Sequence, residues 1–288
     1  MVSAWTAATR RLAAAGVDSP AIDARLLLEA AAEVARAEIL ADPHRPLAPE
    51  TAERLATLVE RRAGREPVSH ILGKRGFWTI MLRVSGDVLT PRPDTETLVE
   101  VVLGRFAPDQ AFSLLDLGVG SGAILLAILA ERPNAAGLGV DASPAALAVA
   151  QENAAILGLT DRAALQHGDW AAGLADASFD VVVANPPYIA SAEIETLEPE
   201  VRDFEPRLAL DGGADGLDAY RILAPEMLRA LKPGGLFAVE IGAGQREAVL
   251  ALFRAAGGEG LSTYKDLADR DRVVAGAKKP LGNHRLNR

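Results

Sequence analysis

Hydrophobic positions change their spacing twice along this chain. Up to about Arg65 the apolar residues recur at helical intervals. Ile22, Leu26, Leu27 and Ala30 fall on one face behind Ser19-Pro20, where a serine N-cap and a proline at the first helical position mark a helix start. Pro49 opens another such stretch, with Leu55, Leu58 and Val59 facing inward. Ile71-Leu72-Gly73 and Phe77 to Val84, broken by Gly76 and Gly86, read as extended chain and predict a β-hairpin. From Pro91 onward short apolar runs alternate with helical stretches, the pattern of a mostly parallel sheet covered on both faces. Strands are expected at Ser113–Leu117, Gly137–Val140, Ala164–Gln166, Val181–Ala184, Leu236–Ile241, Leu261–Tyr264 and Arg272–Ala275. Only Lys265 to Asp271 separates the last two, too short a stretch for a crossover helix, so they are expected to pair antiparallel. The expected organisation is a helical domain over 1–66, a hairpin linker over 67–90, an α/β domain over 91–277 and a loose basic tail over 278–288.

Two loops at strand ends carry the candidate chemistry. Asp116-Leu117-Gly118-Val119-Gly120-Ser121-Gly122 follows the first strand of the sheet and opens an apolar helix. Its glycines let a ligand approach the backbone, and the helix start supplies free N–H groups. Alone this loop is weak: Gly118, Gly120 and Ala123 also fit a dinucleotide fingerprint. Asp116, however, puts a carboxylate where a pyrophosphate is repelled and an ammonium welcomed. Asp141, at the end of the second strand, suits both hydroxyls of a ribose, though an acid ahead of Ser143-Pro144 also serves a helix start. A ligand with an amino group, a carboxylate and a ribose is S-adenosylmethionine. Asp169-Trp170, after the third strand, offers an acceptor and a ring for adenine, or simply a tryptophan covering the core.

Asn185-Pro186-Pro187-Tyr188 follows the fourth strand. Asn185 offers an oxygen to a planar N–H group. Pro186 fixes the backbone and holds nearby carbonyls at set angles. Tyr188 offers a flat ring to stack on an amide or attract a sulfonium. These residue types suit a planar amide or amidine nitrogen as target.

Composition narrows the chemistry. The chain has 288 residues and no cysteine, which removes disulfides, thiolate metal sites and cysteine nucleophiles. Its histidines number 4 and are scattered, so neither a zinc site nor a histidine triad is expected. No apolar run reaches membrane length and no signal pattern opens the chain, so a cytoplasmic location is expected. The net charge is −9: 11 basic and 10 acidic side chains to residue 75 give +1, and 19 against 29 beyond it give −10. An acidic catalytic half is the wrong sign for a duplex DNA scanner.

The glycine loop, Asp141 and the Asn-Pro-Pro-Tyr turn together resemble the seven-stranded S-adenosylmethionine-dependent methyltransferases that act on amide or amine nitrogens. Val88 to Glu96 (Val-Leu-Thr-Pro-Arg-Pro-Asp-Thr-Glu), Glu205 to Leu210, Asp211-Gly212-Gly213, Gly216-Leu217, Leu231 to Gly235 and Lys265-Asp266-Leu267 are similar to those of the peptide chain release factor glutamine methyltransferases. The resemblance covers nearly the whole chain, including Asp23 to Leu28. Thr90, Gly76, Thr79, Met81 and Val119 depart from the family pattern without touching the proposed chemistry. It implies a Rossmann-like seven-stranded sheet, methyl transfer to the glutamine of Gly-Gly-Gln in class I release factors, and N-terminal helices that help grip that protein. Arg92 and Glu96 are expected to close the pocket or to pair with each other. Rival readings are an adenine-specific nucleic-acid methyltransferase, a ribosomal-protein glutamine methyltransferase, a nicotinamide-dependent dehydrogenase and a non-catalytic binding module.

Overall fold

The computed structural model describes residues 1–280, so all but the start of the expected tail at 278–288 lies outside the described residues. In chain order the first elements are α1 (Val2–Ala14), α2 (Pro20–Ala32), α3 (Arg36–Ala41), α4 (Pro49–Ala63), α5 (Val68–Leu72), β1 (Lys74–Phe77), β2 (Ile80–Arg83), α6 (Glu96–Arg105) and β3 (Ser113–Leu117). There follow α7 (Ala123–Glu131), β4 (Ala136–Asp141), α8 (Pro144–Ile156), β5 (Ala163–His167), β6 (Phe179–Ala184), α9 (Pro199–Arg202), α10 (Asp218–Ala230), β7 (Leu231–Glu240), α11 (Arg246–Ala255), β8 (Gly258–Lys265) and β9 (Asp271–Lys278).

The chain forms two compact units, and one of them takes Met1–Lys74 together with Glu198–Phe204. Its core gathers Leu12, Leu27, Leu28, Leu55, Val59 and Ile71 from four helices. Three sequence expectations change here. Ile22 is 55% exposed, because the buried stripe of α2 runs through Ala24, Leu27, Leu28 and Ala31 instead. Ser19 occupies the N-cap position ahead of Pro20 without donating or accepting a side-chain cap bond. Ile71 and Leu72 are helical rather than extended, since α5 turns Ile71 into the bundle core and Gly73, at φ 65°, ends the helix. Arg62, only 6% exposed, is held by Asp23 at 2.7 Å and Glu200 at 2.8 Å. Arg65 binds the same Glu200 at 2.6 Å and Glu198 at 2.9 Å, so the returning segment is fastened by a shared ion-pair network.

The other unit holds the remaining chain. Its seven strands run in the order β5-β4-β3-β6-β7-β9-β8. Strands β3 to β7 are parallel, and β9 runs antiparallel to both β7 and β8, as the short link between them requires. All seven expected strands are present, most of them longer than the apolar runs that announced them. Strand β7 starts at Leu231, ahead of Pro233, where its register against β6 shifts. Both faces of the sheet are covered by helices over apolar cores. The hairpin β1–β2 is tied to this unit by Asn153, which accepts from Arg83 N at 2.7 Å and donates to the carbonyls of Arg83 and Ser121 at 3.0 and 2.8 Å.

Candidate active site

Sheet register brings the separate motifs to one level. Leu117 of β3 pairs with Val140 of β4 on one side and with Ala184 of β6 on the other. Gly118, Asp141 and Asn185 are therefore at equivalent positions on the three adjacent strands, Asp141 closing β4 and the other two just past β3 and β6. The chain runs outward from β3 through β4 to β5, then crosses back to β6 on the other side of β3, the switch point at which open α/β sheets form a ligand crevice. A cavity of about 520 Å³ opens there, the size of a small-molecule site.

The glycine loop shapes one wall of this cavity. Gly118, Gly120 and Gly122 have φ of 75°, 54° and 84°, a region that side chains disfavour. A Cβ on Gly122 meets Leu126 Cδ1 at 2.8 Å, so the helix start also needs the bare glycine. Asp141 binds the loop: its Oδ2 accepts from Gly120 N at 2.8 Å and its Oδ1 from Ser143 N at 2.9 Å. Each oxygen keeps a second lone pair for a ligand hydroxyl. Asp169 and Trp170 line the cavity as well. Trp170 adopts φ 48°, and its ring edge lies over Gly118, 3.5 Å from where a Cβ would stand. Gly118, Val119, Gly120, Ser121, Asp141, Asp169, Trp170 and Asn185 thus share one cavity.

Asp116, Gly122, Pro186 and Tyr188 do not line it. Asp116 is buried beneath the loop, where Oδ2 accepts from Leu125 N at 3.1 Å and Oδ1 has no hydrogen-bond partner. Burial pushes its carboxyl up to about 7. The Tyr188 hydroxyl donates to Glu240 Oε1 at 3.4 Å. Gln245 clamps the same turn, with Nε2 donating to the carbonyls of Tyr188 at 2.9 Å and Gly216 at 3.1 Å. The turn packs so tightly that a Cβ on Gly212 would lie 2.9 Å from both Pro187 O and Tyr188 Cα. The Asp-Gly-Gly motif is thus a bed for the Asn-Pro-Pro-Tyr turn.

Arg92 and Thr95 also line the cavity, and here one of the two expected roles for Arg92 and Glu96 fails. Arg92 and Glu96 do not pair. Arg92 Nη2 grips both oxygens of Glu205, at 2.8 and 2.7 Å, while Glu96 accepts from Trp78 N at 2.8 Å and pins the hairpin turn. The two residues serve different ends of one segment. Asp94 takes Arg270 at 2.8 Å and Arg272 at 3.1 Å. Thr95 Oγ1 accepts from Asn185 Nδ2 at 3.3 Å. Thr95, Glu205, Glu240 and Gln245 were not singled out as site residues in the sequence. Thr95 and Glu205 lie inside motifs quoted from the sequence, and Glu240 is a single acid ending an apolar strand before Ile241-Gly242.

Comparison with known proteins extends this picture. Residues 3–73 match the family described as PrmC N-terminal domain, and residues 108–262 match a methyltransferase domain family. A release factor glutamine methyltransferase of Caulobacter vibrioides is 65% identical over 284 residues, covering 98% of this chain and 97% of its own. A protein of the same name from Rhodospirillum rubrum is 48% identical over 272 residues, covering 94% of this chain and 83% of its own. Among solved structures, a methyltransferase from Pyrococcus furiosus has a TM-score of 0.52 at 16% identity over 69% of this chain and 88% of its own, a similarity of fold alone.

Proposed function

Because the chain belongs to the release factor glutamine methyltransferases, we infer that it methylates the side-chain amide nitrogen of the Gly-Gly-Gln glutamine in class I peptide chain release factors, with S-adenosylmethionine as donor. One observation carries the reading of the site: Asn185 lines the same cavity as the glycine loop and Asp141, at the strand level where those two stand.

The residues present fit the donor. The bare glycines leave room against the backbone, Asp141 keeps acceptor capacity for ribose hydroxyls, and Asp169 and Trp170 flank a place for adenine. The unpartnered Asp116 oxygen under the loop is the nearest match for an ammonium. Bound there, S-adenosylmethionine supplies an electrophilic methyl carbon.

An amide nitrogen is a poor nucleophile, so the chain's task is orientation. Asn185 has its Nδ2 committed to Thr95, which leaves Oδ1 to accept an N–H of the substrate carboxamide. The Pro186 carbonyl takes the second hydrogen in this reading. Both acceptors stabilise positive charge as it grows on nitrogen, and positioning of this kind supplies up to ~7–11 kcal/mol of barrier in favourable cases. Tyr188 holds the far side of the turn. No base is needed before transfer, because the methylated amide becomes acidic and sheds its proton late.

Among the described residues no helix is long and apolar enough to cross a membrane. A release factor substrate places the enzyme in the cytoplasm in this reading, and the acidic catalytic half fits a protein partner better than a nucleic acid. The test is methyl transfer from labelled donor onto purified release factor, with the modified residue mapped by mass. Label on the Gly-Gly-Gln glutamine is expected. Label on DNA or on a ribosomal protein, with none on that glutamine, sinks the reading.

A further inference from the structure

We propose that Arg92 binds the carboxylate on the methionine arm of the donor. The proposal deepens the methyl-transfer reading and rests on it.

Charge singles out this residue. S-adenosylmethionine carries an ammonium, a sulfonium and a carboxylate. The cavity wall suits the cations, because Asp87, Asp141, Asp169, Asp211 and Asp218 all line it. Arg92 is the single basic side chain among the described residues that do. Against a wall of that sign, an anion without a cationic partner is repelled.

The glycine loop does not answer for the carboxylate, because most of its N–H groups are spent within the protein. Gly118 N and Val119 N donate to the Val140 carbonyl at 2.9 and 3.0 Å, and Gly122 N donates to the Val119 carbonyl at 2.8 Å. Gly120 N goes to Asp141, and Leu125 N to Asp116. The anion site that a helix start ordinarily offers is thus largely used up, and carboxylates hold part of it.

Arg92 also stands at the right end of the cavity. Adenosine belongs with Asp141, Asp169 and Trp170, at the ends of β4 and β5. The methyl carbon has to face Asn185, past β6, so the methionine arm runs toward that side. The Arg92–Thr95 segment is there, because Thr95 Oγ1 accepts from Asn185 Nδ2 at 3.3 Å.

The guanidinium has capacity for a second carboxylate. Both of its bonds to Glu205, at 2.8 and 2.7 Å, come from Nη2 alone. Glu205 is buried and also accepts from Thr90 N at 3.3 Å, so it fixes Arg92 from behind. Nη1 and Nε of Arg92 make no hydrogen bond among the described residues, and its side chain is 40% exposed. A guanidinium donates from every nitrogen, and those two stay available to a ligand oxygen. Held in place before the ligand arrives, the group loses little freedom on binding it.

A pair that only fastened the chain would make the same two bonds, so the test separates holding a ligand from holding the fold. The affinities of S-adenosylhomocysteine and of its decarboxylated analogue, which keeps the nucleoside, thioether and amine, are measured by calorimetry on wild type and Arg92→Met. Wild type is expected to favour S-adenosylhomocysteine by roughly 10- to 100-fold, the range of a hydrogen bond to a charged group. In Arg92→Met the affinity for S-adenosylhomocysteine should fall by a similar factor, with that for the analogue undiminished. If Arg92→Met folds poorly, wild type alone decides: the Arg92 Nε–H NMR signal should shift on adding S-adenosylhomocysteine and stay in place with the analogue. Equal losses for both ligands in Arg92→Met, a preference kept in that variant, or an Arg92 signal that responds alike to both overturns the proposal and leaves the donor reading standing. A wild type that binds neither ligand overturns the donor reading and the proposal together.

Discussion

Two carboxyl groups below this site titrate in the neutral range, and that has a consequence for folding. Burial lifts Asp116 from 3.8, and Glu240 from 4.5, to about 7 each. The native protein thus binds more protons than the unfolded chain between those limits, and stability must fall as pH rises through that window. For each group, every tenfold gain in proton affinity on folding is worth on the order of 1.4 kcal/mol at most. Carboxylates held low by partners, such as Asp180 beside Lys232 and Ser113, act in the opposite sense and at more acidic pH. Denaturant unfolding at several pH values from 4 to 8 should show declining stability, flattened in Asp116→Asn. A flat wild-type curve contradicts the buried, protonated state. The sequence singled out Asp116 ahead of the glycines but not its depth, and it did not single out Glu240. Asp116 read as an ammonium acceptor because it precedes the glycines; that it also caps the Leu125 N–H from below is a three-dimensional fact.

At the scale of elements, the Arg92–Glu96 segment fastens four separate parts of the catalytic unit. Arg92 reaches Glu205, Asp94 reaches the β8–β9 hairpin, Thr95 reaches Asn185, and Glu96 reaches the β1–β2 turn. Glu205 is 6% exposed, and burial raises its pKa against the pull of Arg92. Arg92→Met therefore leaves a buried carboxyl without its main partner and should cost about 1–3 kcal/mol in thermal or denaturant unfolding. Glu205→Gln in the same background should return part of that loss; a neutral Arg92→Met would mean the pair is idle. The motifs themselves were legible as strings: Pro-Arg-Pro-Asp-Thr-Glu and Glu-Pro-Arg stood out. Their partnership was not, because it joins residues more than a hundred positions apart. Local rules misled in a similar way at Ile71-Leu72, an apolar pair led by a β-branched residue that fits a strand until the bundle core claims it.

For the whole molecule, short apolar runs alternating with longer helical stretches were enough to place seven strands, because strands buried on both faces read as brief continuous apolar runs. The level at which those strands end was not written in any one of them. It follows from pairing β3 with both β4 and β6, and it turns three dispersed motifs into a single cavity. The helical unit shows the same dependence on distant chain. Arg62 and Arg65 are satisfied by residues 198 and 200, a return visit that no local pattern announces.

Replacing Asn185 by alanine separates holding the donor from aiming the acceptor. With full-length protein, methyl transfer to release factor and the affinity for S-adenosylhomocysteine should be measured side by side. Transfer is expected to drop by roughly 100- to 1,000-fold, as when one preorganised polar group is removed from an active site, with affinity within about twofold. Full transfer in that variant, or loss of affinity in step with it, would contradict the assignment of Asn185 to the glutamine amide.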